Sequence, residues 1–167
     1  MGMYEFSDGK KAIRYEKGSA DRLGAVICKN ADGSEGVNFA LYCEHAFSCA
    51  LVLFNEGEKQ PFAEIPLTDD MKTDNIYAVF VTGIDPDTTE YGYRLNGIYD
   101  IHKELRYQKE CVVLDPYARA GSARNTWCCP IDQERAGKFR GKIIRDDFDW
   151  ENDKYPETPL KDLIIYE

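Results

Sequence analysis

Val37-Asn38-Phe39-Ala40-Leu41-Tyr42-Cys43-Glu44 places Val37, Phe39, Leu41 and Cys43 at every second position. Successive side chains of a strand face opposite ways, so this period of two describes a half-buried strand. Similar signals recur on both sides of it. Gly24–Lys29 is apolar and is closed by the turn cluster Asn30-Ala31-Asp32-Gly33-Ser34. Ala50–Phe54 is a continuous β-prone run, and 60–67 carries Pro61 and Pro66, which suit an edge strand. Ile76–Thr82 has the strongest strand character, being rich in β-branched and aromatic residues. After Asp85-Pro86-Asp87, Tyr91, Tyr93 and Leu95 share one face. Asn96-Gly97 reads as a hairpin turn with Ile98-Tyr99 returning. No window between 24 and 100 sustains a helical period. Six or seven short strands separated by turn residues predict an all-β fold, an immunoglobulin-like β-sandwich.

The flanks read differently. Residues 1–23 are polar and are expected to form an extended arm. Residues 101–159 predict a mostly irregular C-terminal extension, with a short helix over Ile101–Glu110 and a strand over Cys111–Leu114. The final run Leu163-Ile164-Ile165-Tyr166-Glu167 is uninterrupted and apolar, as in a strand buried on both faces. Parallel strands need neighbours, so 160–167 is read as the first strand of a following domain that continues beyond residue 167.

Charge and composition exclude several classes. Thirty Asp and Glu against 21 Lys and Arg give a formal charge of −9. Such a surface repels phosphate backbones and anionic lipid, whereas neutral ligands meet no such penalty. No apolar run approaches the ~18 residues of a membrane span, and no leader opens the chain, so it is expected to be cytoplasmic. The six cysteines form no Cys-x-x-Cys pair and are read as reduced thiols, with no metal and no cofactor expected. His45 and His102 lack a nucleophile motif, and Asp85, Asp87 and Glu90, like Asn30, Asp32 and Glu35, read as turn formers.

Four stretches carry a resemblance: Gly36–Tyr42, Tyr91-Gly92-Tyr93-Arg94-Leu95-Asn96-Gly97-Ile98-Tyr99-Asp100, Leu114-Asp115-Pro116-Tyr117-Ala118-Arg119, and Phe148-Asp149-Trp150 followed by Pro156, Pro159, Asp162 and Ile164–Glu167. Their order and spacing resemble the N-terminal region of isoamylase and glycogen-debranching enzymes in the α-amylase family. Residues 24–100 are similar to family 48 carbohydrate-binding modules, including the glycogen-binding domain of AMP-activated kinase. The resemblance implies a parent hydrolase cleaving α-1,6 branch linkages in glycogen or starch. Its catalytic carboxylates would lie beyond residue 167, leaving this fragment without catalytic residues.

In family members that bind glycogen, two tryptophans and a lysine make the contacts. Here one tryptophan position falls near Gly57, the lysine falls on Gly92, and the second tryptophan position is Tyr99. Sugar stacking needs exposed rings flanked by polar groups. The candidates are Tyr99 with Arg94 and Asn96, then Tyr77 and Trp127. Three readings follow: a structural or substrate-positioning domain with weak affinity for α-glucan, a tether to glycogen, or a free-standing interaction domain. Leu114, Tyr117, Trp150 and Ile164-Ile165 are expected to form an apolar surface that meets the protein's own catalytic barrel.

Overall fold

The computed structural model describes residues 2–4, 12–122, 139–164 and 166. In chain order the strands are β1 (Gly2–Tyr4), β2 (Ile13–Lys17), β3 (Gly24–Lys29), β4 (Glu35–Tyr42), β5 (Ala46–Asn55), β6 (Ala63–Leu67) and β7 (Lys72–Thr73). They continue with β8 (Ile76–Thr82), β9 (Thr89–Gly97), β10 (Tyr99–Asp100), β11 (Leu105–Arg106), β12 (Val112–Val113), β13 (Ala120–Gly121) and β14 (Gly141–Lys142). Among the described residues the helical elements are short 3-10 turns only. The protein is therefore all-β, as its patterning requires.

Two antiparallel sheets form the sandwich. Sheet I runs β1-β2-β8-β4-β3 with β7 beside β8, and sheet II runs β13-β14-β9-β5-β6 with β12 beside β9. Inward residues alternate along each strand, as sandwich packing demands. Val37, Phe39 and Leu41 from β4 and Tyr77, Val79 and Val81 from β8 meet Leu51, Leu53, Ile65, Tyr91 and Tyr93 from sheet II, all at most 3% exposed. Phe39 and Tyr91 meet edge to face across the sheets, ring centroids 5.0 Å apart. Each such side chain removed from water contributes about 1.5–3 kcal/mol.

The predicted strands at 24–29 and 76–82 form with those bounds, and Pro66 lies on edge strand β6. Other expectations need correction. Strand β4 is buried on both faces, because residues 18–19 fold over its outer side. The Asn38 side chain accepts from Ser19 N at 2.8 Å and donates to Ser19 O at 2.9 Å. The segment read as an arm contains β2, which pairs with β8 and buries Ile13 at 1% exposure. Asn96-Gly97 is no turn, since β9 runs straight through both residues. Glycine is required at 97 because an added Cβ would lie 2.8 Å from Tyr107 Cγ and 3.0 Å from the His45 carbonyl. In place of a helix over 101–110, a 3-10 turn at Ile101–Lys103 links β10 to β11. Glu104 closes that turn in the left-handed region, at φ 59°.

The extension returns to the sandwich before leaving it. Strands β12 and β14 both pair with β9. Between them Asp115 is 1% exposed, accepting from Tyr91 Oη and from Tyr117 N, each at 2.8 Å. Burial raises the Asp115 carboxyl above its usual range, against the two hydrogen bonds that lower it. Beyond Lys142 the chain is irregular; Ile143 still enters the core at 5% exposure, and from Arg145 the tail is exposed, with Phe148 and Trp150 edge to face at 4.9 Å. Leu160–Asp162 makes a 3-10 turn, and Leu163, Ile164 and Tyr166 follow it, solvent-exposed.

Candidate functional site

The outer face of sheet II holds the positions that the resemblance points to, and much of it is covered by the chain itself. Along β9, Tyr91 and Tyr93 turn inward, so Glu90, Gly92, Arg94 and Asn96 turn outward. Gly92 lies against β12: a Cβ there would stand 2.6 Å from Val112 Cγ1 and 2.9 Å from the Val113 carbonyl. A side chain there requires Val112 and the β12 backbone to shift, so the lysine of glycogen-binding relatives is disfavoured here. Gly57, near one tryptophan position, sits in a turn at φ +76°, a conformation that favours glycine.

Beside Gly92, a buried cation seals the face. Arg140 is 7% exposed, and its Cζ lies 3.5 Å from the Phe54 ring centroid. Arg140 Nη1 donates to the Glu58 carbonyl at 2.6 Å and to Glu90 Oε2 at 3.3 Å, while Nη2 donates to the Lys59 carbonyl at 3.5 Å. Glu90 is 5% exposed, so this is an ion pair with most of its polar atoms matched. Its removal from one side would leave an uncompensated buried charge.

The sequence candidates are not gathered at one point. Tyr99 on β10 is 56% exposed and opposes Arg106 of β11. Asn96 is exposed and opposes Ser48 of β5. Arg94 faces outward but is engaged: Nε donates to Glu64 Oε1 at 3.1 Å, and Nη1 to the carbonyls of Lys109 and Glu110 at 3.0 Å each. It holds the chain leading into β12. Tyr77 is a correction, because it lies in the core at 2% exposure with Lys72 Nζ 4.9 Å from its ring centroid. With no open ring face it cannot stack on a sugar. Trp127 lies outside the described residues.

Sequence reasoning missed Phe47. The β5–β9 register shifts between Ala46 and Ser48, and this bulge leaves Phe47 70% exposed opposite the Asn96–Gly97 step. Ile98 and Ile101, at 48% and 57% exposure, flank Tyr99 in sequence. No sequence signal marks such a bulge. The 30–34 and 85–88 clusters are turns: Asp32 accepts from Ser34 N, and Asp85 accepts from Asp87 N and Thr88 Oγ1. Among the described residues no group of three or more His, Cys, Asp or Glu side chains is placed to hold a metal ion.

Comparison with known proteins places these features in a family. The family model described as carbohydrate-binding module 48 (isoamylase N-terminal domain) matches residues 22–118. Chloroplastic isoamylase 3 of Oryza sativa subsp. japonica is 33% identical over 96% of this chain and 21% of its own length. The glycogen operon protein GlgX homolog of Haemophilus influenzae is 31% identical over 78% of this chain and 19% of its own. The chain thus spans about a fifth of the length of the curated relatives it matches. The catalytic module of the pneumococcal glycogen-degrading virulence factor SpuA shares the fold at 16% identity and a TM-score of 0.51. That likeness covers 77% of this chain and 17% of the SpuA module.

Proposed function

The chain belongs to the carbohydrate-binding module 48 family, the isoamylase N-terminal domain, and from that premise we propose that it is a non-catalytic domain of an α-1,6-glucan debranching hydrolase. Its role is structural and substrate-positioning, with weak affinity for α-glucan. The single observation that carries this reading is the closure of sheet II's outer face. Val112 and the Val113 carbonyl occupy the space above Gly92, and Arg140 packs on Phe54. A module built to tether an enzyme to glycogen would keep that face open for stacking rings. The tail, with Phe148, Trp150, Leu160 and Ile164 each at least 68% exposed, supports a role beside a second domain. On this reading the partner of those side chains is the protein's own catalytic barrel, led into by residues 160–167.

Affinity electrophoresis of the chain through glycogen-containing gels tests the reading. The expected result is slight retardation at high glycogen only. A second reading, the glycogen tether, is favoured by the exposure of Tyr99 beside Asn96. Strong retardation abolished by Tyr99→Ala would establish that tether and displace the structural role.

A further inference from the structure

Among the described residues β14 is the last strand to join a sheet, and the chain ties itself down in two different ways as it leaves. We propose that residues 140–146 form a two-stage strap. Arg140–Ile143 is fixed to the sandwich, Arg145 and Asp146 are a releasable electrostatic clasp, and the tail pivots at Ile144 between them.

The first stage is held by burial and backbone. Gly141 pairs with Tyr91 and Lys142 with Glu90 on β9, while β13 lies on the other side of β14. The Arg140 carbonyl accepts from Ser122 N at 2.8 Å. The Arg140 and Glu90 side chains are 9% and 6% exposed, and Ile143 enters the core at 5%. Buried pairs of this kind are screened little by salt, and apolar packing is not screened at all.

The second stage is held by charge alone. The ladder ends at Lys142. Beyond it, Arg145 Nε donates to Asp87 Oδ1 at 3.0 Å and Nη2 donates to Asp87 Oδ2 at 3.3 Å. Asp87 is a firm anchor, because Asp85 braces its turn by accepting from Asp87 N and Thr88 Oγ1. The next residue, Asp146, accepts from Arg119 Nη2 at 3.3 Å, just ahead of β13. Two neighbours of opposite sign therefore grip two different elements, and a swing of the tail away from either anchor stretches one pair.

All four side chains of this clasp are at least 42% exposed. Each such pair shifts an equilibrium by only about 1.5- to fivefold, so the two hold together at low ionic strength. At 1 M salt the screening length falls to about 3 Å and both pairs weaken. Ile144 directly follows the end of β14 and is half-buried, the place where a hinge absorbs backbone rotation. The clasp thereby sets the direction in which Phe148 and Trp150 are carried away from the sandwich. With a catalytic barrel beyond the tail, the joint sets how far that domain swings; the joint itself does not rest on that reading.

Heteronuclear relaxation of the isotope-labelled chain at 25 mM and 1 M sodium chloride tests the proposal, since it reads backbone motion on the ps–ns timescale residue by residue. At low salt, Arg145–Asp147 are expected to be nearly as rigid as β14. At 1 M they are expected to become as mobile as residues 151–159, while Gly141–Ile143 stay rigid. Asp87→Asn and Arg119→Gln alter exposed side chains, and each is expected to free Arg145–Asp147 partly at 25 mM with the thermal melting temperature unchanged. Mobility of Arg145–Asp147 already complete at 25 mM, or rigidity kept at 1 M and in both variants, overturns the clasp. Loosening of Gly141–Ile143 together with Arg145–Asp147 overturns the pivot at Ile144.

Discussion

Gly92→Ala adds one carbon on β9 where β12 lies against it. That Cβ would lie 2.6 Å from Val112 Cγ1 and 2.9 Å from the Val113 carbonyl oxygen. Carbon contacts are comfortable near 3.5–4.0 Å, so the overlap with the methyl is about 1 Å. Val112 can turn aside, but the Val113 carbonyl belongs to the backbone of a strand paired with β9 and cannot. Overpacking of this kind destabilises by about 1–3 kcal/mol. Against that stands the gain of about 0.5–1 kcal/mol from replacing glycine inside a strand. The net expectation is a loss of up to roughly 2.5 kcal/mol, or a Tm lower by up to about 10 °C for a chain of this size. Gly92→Lys is expected to lose at least as much and to create no glucan affinity, although it restores the lysine of the glycogen-binding relatives. Thermal melting by circular dichroism, with Val112→Ala and the double variant, completes a cycle. The double variant should recover the part of the loss due to the methyl and keep the part due to the carbonyl. A higher Tm for Gly92→Ala would refute the claim that β12 closes this face.

Other parts of the structure yield further expectations. Arg140→Met strands the buried Glu90 carboxylate and should destabilise by about 3–5 kcal/mol in urea, with Arg140→Met/Glu90→Gln recovering a good part; equal losses for both would show that the pair is not coupled. Asp115 has a raised carboxyl pKa in the folded state, so its burial disfavours folding once it is ionised. As pH falls from 7 towards the unfolded value of about 3.9, folded Asp115 takes up its proton first, and the wild type gains stability relative to Asp115→Asn. Paired melting curves at pH 7 and pH 4.5 check that sign; a relative loss on acidification contradicts it. Native-state alkylation mapped by mass spectrometry should label exposed Cys111 and spare buried Cys43 and Cys49, the last with its thiol pushed up by burial. The exposed Leu114, Tyr117, Trp150 and Ile164 should make the chain self-associate as concentration rises; a clean monomer by ultracentrifugation would count against that surface.

Where hydrophobic period and strand coincide, the fold was legible from residues alone. Ile76–Thr82 and Gly24–Lys29 are bounded by turn chemistry, and Tyr91 and Tyr93 occupy the inward face that alternation assigns to them. Strand β2 was hidden because Ile13-Arg14-Tyr15-Glu16-Lys17 is mostly polar, and its pairing with β8 decides its state. Asn96-Gly97 carries strong turn chemistry, yet tertiary contact with Tyr107 demanded glycine for space. The site was harder still. Tyr99 is exposed as a sugar contact requires, but Tyr77 has the same residue type and points into the core. Nothing local announces that Arg140 will stack on Phe54, far earlier in the chain, or that Val112 will cover Gly92. Those closures arise from the return of the extension onto β9, a feature of topology that no short motif encodes.

Isothermal titration of the intact chain with maltoheptaose addresses the central claim most directly, since a positioning domain and a tether differ first in affinity. A closed sheet II face implies dissociation in the millimolar range, about −4 kcal/mol of binding free energy. Micromolar binding, lost on Tyr99→Ala, would contradict the account and make the exposed edge around Tyr99 the working surface of the domain.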